Sequence, residues 1–150
     1  MFRGRYEHTI DKKGRVSVPS GFRMEIQRRG EQAPILTNYR DHLALHPADD
    51  WAHKERSLLG LSDLQPDVPA YQRFVVSGAI ECPIDSQGRI LIPAYLREHA
   101  GLENKVIIAG VLEKIEIWNP ARFEENQKLT LLRLDEIQKS VDRSPRAQGG

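Results

Sequence analysis

Apolar and polar residues alternate in two stretches of the chain that match each other closely. Residues 10–19 read Ile-Asp-Lys-Lys-Gly-Arg-Val-Ser-Val-Pro, and residues 84–93 read Ile-Asp-Ser-Gln-Gly-Arg-Ile-Leu-Ile-Pro. Five of the ten positions are identical at a spacing of 74 residues. In both stretches the period of two after the glycine is typical of a half-buried strand, which the proline then ends. The chain is therefore an internal repeat of two similar units.

Each stretch contains an Asp-x-x-Gly sequence that predicts a tight turn at a hairpin tip. Aspartate is favoured at the first position of a type I turn, and glycine accepts the left-handed backbone that closes such a hairpin. We expect Asp11 and Gly14 to shape the first turn, and Asp85 and Gly88 to shape the second. The aspartates are expected to accept N–H groups of the turn and to orient the following arginine.

The periodicity after each proline predicts a short helix, a pair of strands and a further helix. The further helices are expected at about 48–60 and about 120–141. Residues 1–60 then form the first repeat, 61–76 a linker with a lead-in strand, 77–141 the second repeat and 142–150 a disordered polar tail. A unit of about 70 residues is marginal alone. We therefore expect an α+β fold in which both units share one core about a pseudo-two-fold axis.

Composition excludes several classes of protein. The longest apolar run, residues 106–112, is far shorter than the about 20 residues of a transmembrane helix. The N-terminus has no apolar signal segment and Cys82 is the single cysteine, so we predict a cytoplasmic protein without membrane association. No phosphate loop or nucleophile motif indicates an enzyme. His42 and His46 are four residues apart but lie in a strand-like pattern, which predicts no metal and no cofactor.

Positive charge is concentrated at the start of the chain. The net charge is +1, yet residues 1–29 carry eight basic and three acidic residues. This segment is a candidate anion-binding face, although a charge run is often only a solvated surface. Arg15 and Arg89 follow the two turns, and each can pair with its own aspartate or make bidentate contact with phosphate or guanine. The two roles are compatible, because a tethered guanidinium is already oriented.

The two turn motifs together resemble the MraZ family. The chain opens with Phe2-Arg3-Gly4, continues to Asp11-Lys12-Lys13-Gly14-Arg15, and repeats the motif as Asp85-Ser86-Gln87-Gly88-Arg89. The resemblance covers roughly residues 1–140. Each unit is similar to the SpoVT-AbrB domain, a DNA-binding module with a double-psi or swapped-hairpin, β-barrel-like arrangement. The resemblance implies an α+β fold in which two tandem copies, with flanking helices, build the dimer-like unit within one chain.

The resemblance also implies a bacterial transcriptional regulator rather than an enzyme. Such a protein represses the division and cell-wall gene cluster, including its own promoter, and acts in the cytoplasm at the nucleoid. It forms a homo-oligomer, expected to be a ring, that binds tandem short direct repeats in double-stranded DNA through its hairpin tips. The alternative is a ring-forming assembly protein of division for which DNA contact is incidental. The residues expected to contact DNA are Arg15, Lys13, Lys12, Arg3 and Arg5, with Arg89 from the second tip.

Overall fold

The computed structural model describes residues 1–146, which contain eight strands and six helices. The short return strands follow the two glycine turns, and a helix begins directly after the proline that ends each of them. The strands are β1 (Phe2–Thr9), β2 (Arg15–Ser17), β3 (Ile35–Asn38), β4 (Leu43–His46), β5 (Ile80–Glu81), β6 (Arg89–Leu91), β7 (Lys105–Leu112) and β8 (Lys114–Trp118). The helices are α1 (Ser20–Arg28), α2 (Ala48–Leu59), α3 (Asp67–Ser77), α4 (Ala94–Ala100), α5 (Pro120–Leu132) and α6 (Leu134–Arg143).

The strand order has an internal two-fold symmetry. Six strands form an antiparallel sheet in the order β1-β7-β8-β4-β3-β5, and β2 pairs with β6 in a separate two-stranded ribbon. The counterparts in the two repeats are β1 and β5, β2 and β6, β3 and β7, and β4 and β8. When each strand is exchanged for its counterpart, the same order results, read from the other edge of the sheet. Glu7 lies opposite Ile107 between β1 and β7, and Glu81 lies opposite Ile35 between β5 and β3, so the two halves repeat the same register. The predicted α+β fold is confirmed.

Both repeats contribute to one hydrophobic core. Val16 and Ile90 lie opposite each other at the centre of the ribbon, and each is 1% exposed. They belong to a buried cluster that also contains Leu96 of α4 and Ile117 of β8. Phe22 of α1 joins this cluster and packs its ring edge-on against Phe2, with 5.5 Å between the ring centroids. Because residues of both repeats form this one cluster, neither repeat encloses a separate core.

The turns between the repeated strands are tied to the opposite repeat. The N–H of Ile92 donates to the Gly14 carbonyl at 2.8 Å, and the N–H of Val18 donates to the Gly88 carbonyl at 2.9 Å. Of the two strands on either side of the first turn, β1 pairs with β7 and β2 pairs with β6. Both Asp-x-x-Gly segments form the predicted turns, but they are not the tips of hairpins, because β1 and β5, which precede them, pair with β7 and β3 and not with the return strands. Each return strand finds its partner in the other repeat, where its inward side chain is buried.

The prediction of a lead-in strand within residues 61–76 was wrong, because most of this region belongs to helix α3. Pro69 falls in the first turn of this helix, where an N–H group needs no helical partner. Val75 of α3 is fully buried. The hydroxyl of Thr37 in β3 donates to the Val75 carbonyl at 2.5 Å, so this helix is attached to the large sheet.

The helix predicted at about 120–141 is divided at Arg133, whose φ of −115° departs from helical geometry. The helix that follows continues to Arg143, so the first two positions of the predicted tail are helical. Positions 147–150 of that tail lie outside the described residues. The chain forms two compact units, Met1–Pro120 and the residues from Ala121 onward. Within residues 1–146, no helix combines the length and the apolar character that a membrane crossing requires.

We predict that Ile90→Ala lowers the free energy of unfolding by about 2–5 kcal/mol, because it opens a cavity where the two repeats meet. Leu91→Ala is the matched control, since the neighbouring Leu91 side chain is 56% exposed. The control should change the free energy by less than about 0.5 kcal/mol. Denaturant titration measures both variants, and equal losses would contradict a core shared across the ribbon.

Candidate nucleic-acid interface

Asp11 organises the first turn with both of its carboxylate oxygens. Its Oδ1 accepts the backbone N–H of Lys13 at 2.9 Å and that of Arg15 at 2.8 Å, while its Oδ2 accepts Nε–H of Arg15 at 2.8 Å. The N–H of Gly14 donates to the Asp11 carbonyl at 3.0 Å and closes the turn. Gly14 has a φ of +90°, and a Cβ atom there would lie 2.9 Å from the Ile92 carbonyl oxygen. The turn therefore requires glycine for both conformation and space.

Asp85 organises the second turn in the same way. Its Oδ1 accepts the backbone N–H of Gln87 at 2.8 Å and that of Arg89 at 2.9 Å, and its Oδ2 accepts Nε–H of Arg89 at 3.1 Å. The N–H of Gly88, whose φ is +80°, donates to the Asp85 carbonyl at 2.9 Å. The two repeats thus build two matching turns, each of which holds one arginine by one aspartate.

The hydrogen bonds of the turns lower the pKa of both aspartates. The backbone N–H of Arg15 is the largest cause that lowers the pKa of Asp11, and the Arg15 guanidinium lowers it further. The backbone N–H of Arg89 likewise lowers the pKa of Asp85. Each carboxylate meets the Nε atom of its arginine, and a guanidinium has five N–H donors. The pairing therefore fixes the direction of each arginine while donors remain for a second, bidentate partner.

Arg15 and Arg89 lie on the same face of the ribbon. Side chains alternate along a strand, so the burial of the central residues places the first and third residue of each strand on the outer face. Arg15 lies opposite Leu91, and Arg89 lies opposite Ser17. The two arginines are therefore diagonal neighbours, a relation that separates residues by about 7–8 Å. Their side chains are 32% and 26% exposed, respectively.

Lys12 and Lys13 are exposed at the first turn, where the second turn has exposed Ser86 and Gln87. The first tip consequently carries two more positive charges than the second. Lysine is a compact charge suited to phosphate, whereas serine and glutamine are neutral hydrogen-bonding groups. The backbone of the two turns is alike, but their electrostatic character is different.

Arg23 and Arg97, which the sequence reasoning did not select, lie against the turn of the opposite repeat. Nε–H of Arg97 in α4 donates to the Ile92 carbonyl at 2.9 Å, and the same Nε atom lies 2.9 Å from the position of a Cβ at Gly14. Arg23 in α1 lies against Gly88, where its guanidinium occupies the space that a Cβ atom would take. Both arginines recur at the 74-residue spacing, and that repetition is the sequence signal that could have identified them. They add positive charge beside both turns.

Arg3 and Arg5 are not brought together with the turns. His8, an even-numbered residue of the same strand, contacts the ribbon, since its Nδ1 lies 2.6 Å from the Ser17 carbonyl oxygen. Tyr6 packs against Phe22, on the same side of β1. Because alternate side chains of a strand point to opposite faces, the odd-numbered arginines face the other side of the large sheet.

His42 lies directly before β4 and His46 is its last residue, and both take part in an aromatic cluster. His42 stacks on Trp118 with 4.3 Å between the ring centroids, and its Nε2 lies 3.2 Å from Oε2 of Glu116. Nε2 of His46 lies 3.0 Å from the hydroxyl of Tyr39, and burial lowers the pKa of His46 to about 4. In the part of the chain that the structure describes, no three His, Cys, Asp or Glu residues gather as metal ligands would.

The geometry defines a class of protein, an internally duplicated α+β unit that holds two arginine turns on one exposed face. The family model described as "MraZ protein, putative antitoxin-like" matches residues 1–73 and 75–140. The chain belongs to the MraZ family, as the paired motifs predicted.

Several relatives cover almost the whole chain. The transcriptional regulator MraZ of Caldanaerobacter subterraneus subsp. tengcongensis is 42% identical over 142 residues, which are 95% of this chain and 97% of the relative. That of Alkaliphilus oremlandii is 44% identical over 137 residues, 91% of this chain and 94% of the relative. That of Desulfitobacterium hafniense is 46% identical over 126 residues, 83% of this chain and 85% of the relative. The names describe regulators and not enzymes, in agreement with the sequence prediction.

We predict that acid weakens the turns only below the usual aspartate range. Because the folded-state pKa values of Asp11 and Asp85 are lowered, their contribution to stability is complete above the unfolded pKa of about 3.9 and is lost as the pH falls through the folded pKa. The variant Asp11→Asn/Asp85→Asn should therefore be less stable than the wild type at pH 7, and the difference should shrink as the medium becomes more acidic.

Denaturant titrations between pH 7 and pH 2 test this dependence. Asp63→Asn, in the exposed segment between α2 and α3, is the matched control and should behave like the wild type at pH 7. A double variant that is as stable as the wild type at pH 7 would contradict the role given to the two carboxylates.

Proposed function

We propose that the chain is a sequence-specific DNA-binding regulator of transcription. The observation that carries the proposal is the interlocked ribbon, which holds Arg15 and Arg89 on one exposed face by matching aspartates. A two-stranded ribbon fits the major groove, and arginine pairs with O6 and N7 of guanine or with phosphate. Lys12 and Lys13 supply point charges for phosphates at the first tip. The names of the relatives support the same function.

The proposed target is a set of tandem short direct repeats upstream of the chain's own gene in the division and cell-wall cluster. The proposed effect is repression, and the place of action is the cytoplasm at the nucleoid. Arg23 and Arg97 extend the DNA-binding face beside the turns. Strand alternation favours these residues over Arg3 and Arg5 as contacts of the same DNA segment.

The proposed active form is a homo-oligomeric ring. A net charge of +1 gives the whole chain little long-range attraction for DNA. Several ribbons that bind together gain affinity through effective concentration, without stronger individual contacts. Large apolar side chains remain exposed and are available for contacts between copies, and among them are Leu59, Leu129 and Leu132. A head-to-tail contact that closes would place successive ribbons at a fixed spacing.

We predict that Arg15→Ala abolishes the preference for the upstream region of the chain's own gene over scrambled DNA at physiological salt. Loss of a bidentate guanine contact removes about 1–3 kcal/mol of discrimination at each ribbon. Arg40→Ala is the matched control, because Arg40 is 94% exposed and lies outside the ribbon. The control should bind like the wild type, and both variants should remain folded, with Arg15→Ala losing at most the small stability of one partly exposed ion pair.

Equilibrium binding by fluorescence anisotropy distinguishes the outcomes. A folded Arg15→Ala variant whose affinity for the upstream region is within threefold of that of the wild type would show that Arg15 does not contact the DNA. A wild type that binds promoter and scrambled DNA alike would favour the assembly protein with incidental DNA contact.

We predict that Lys12→Ser/Lys13→Gln weakens binding to all sequences and reduces the slope of log affinity against log salt by about 2. Each lost phosphate contact lowers this slope by about 0.9. The reverse exchange, Ser86→Lys/Gln87→Lys, is the matched variant and should steepen the slope. An unchanged slope in the first variant would mean that the two lysines are only solvated.

We predict that light scattering shows one discrete species of several chains. Binding should fall steeply when the tandem site is reduced to one repeat, because the gain from simultaneous engagement is then lost. A stable monomer that binds one repeat as tightly as the tandem site would contradict the ring.

A further inference from the structure

The outer face of the ribbon differs at its two ends, although the backbone there is two-fold symmetric. At one end Arg15 lies opposite Leu91, and at the other Arg89 lies opposite Ser17. The turns at the two ends also differ in charge, since Lys12 and Lys13 precede Arg15 whereas Ser86 and Gln87 precede Arg89. One end of the face is therefore basic and apolar, and the other end is less charged and polar.

The Leu91 side chain has no part in the core of this chain. It is 56% exposed, whereas its neighbours Ile90 and Ile92 are 1% and 0% exposed. What Leu91 contributes to the fold comes from its backbone, which pairs with Arg15 and accepts a hydrogen bond from Sγ of Cys82 at 3.6 Å. Either contact can be made by any residue with a normal backbone. The leucine is thus available for a partner that lies on the arginine face.

We propose that Leu91 contacts the C5-methyl group of a thymine next to the guanine that Arg15 contacts. This assignment rests on the proposed DNA-binding function. The thymine methyl is the apolar group that the major groove presents to a protein. Residues directly opposite in a ladder have Cβ atoms about 4.5–5.5 Å apart, and base pairs are stacked about 3.4 Å apart. Leu91 and Arg15 therefore reach bases one or two steps apart.

The opposite end of the ribbon reads DNA without this preference. Ser17 occupies the position that corresponds to Leu91, and a hydroxyl can donate to or accept from any base edge. The ribbon consequently distinguishes the two directions along the DNA. A face of this kind recognises a repeat that is not a palindrome, and it orders successive copies in the same direction.

Replacement of thymine by deoxyuridine tests the assignment, because it removes the methyl group and keeps the base pair. The probe is the duplex from upstream of the chain's own gene, with each thymine of one repeat replaced in turn. For the wild type, one replacement should weaken binding about fourfold, the ratio expected for one buried methyl group. Leu91→Ser should bind both duplexes alike. Its affinity for scrambled DNA and the salt dependence of that affinity should equal those of the wild type.

Ser17→Leu and Ser17→Ala are the matched variants at the other end. The leucine should create a second methyl dependence, at the two-fold related position on the opposite strand, and the alanine should create none. All three variants change exposed side chains and should keep the wild-type melting temperature.

The failures of the two proposals are distinguishable. A wild type without preference for promoter over scrambled DNA would overturn the proposed function and this assignment together. A wild type that prefers the promoter, with a Leu91→Ser variant that keeps the response to deoxyuridine, would overturn the assignment alone. So would a Leu91→Ser variant with a lower oligomer mass, because Leu91 would then be a contact between copies.

Discussion

The pairing of β2 with β6 is the constraint on which the rest of the structure depends. Each strand has three residues, and each finds its partner in the other repeat. The central pair, Val16 and Ile90, is buried, and the carbonyls of Gly14 and Gly88 accept N–H groups from the opposite repeat. Core formation and placement of the turns are thus the same event. A single repeat has neither the core nor the partner that positions its arginine.

Local chemistry made part of this structure predictable from sequence. Aspartate and glycine at fixed positions specify a turn, and both turns form with the same hydrogen bonds. The partner of each return strand was not predictable in this way, because alternation identifies a buried face but not the strand across from it. The role of Arg97 beside Gly14 also depends on contact between distant segments. Pro66 and Pro69 did not reveal α3, because a proline at the start of a helix and a proline in a loop look the same in sequence.

The ion pairs of the turns explain how a nearly neutral chain can present two arginines in a fixed direction. Asp11 and Asp85 offset the charge of their arginines, but they also fix the direction of each guanidinium. An oriented arginine loses less side-chain freedom on binding, so in the proposed DNA complex the fixed direction of the guanidinium contributes to specificity. Lys12 and Lys13 add charge at one tip alone, and Arg23 and Arg97 add it beside both. A symmetric backbone with asymmetric side chains is what the proposed binding to direct repeats requires.

Methylation of guanine N7 by dimethyl sulfate tests most directly whether the ribbon reads bases in the major groove. The reagent attacks the same atom that a bidentate arginine contacts. On the region upstream of the chain's own gene, the bound protein should protect a guanine in every repeat that it shields from nuclease. Guanines that stay fully reactive within nuclease-protected repeats would contradict the account, since the arginines of the ribbon would then contact the backbone alone.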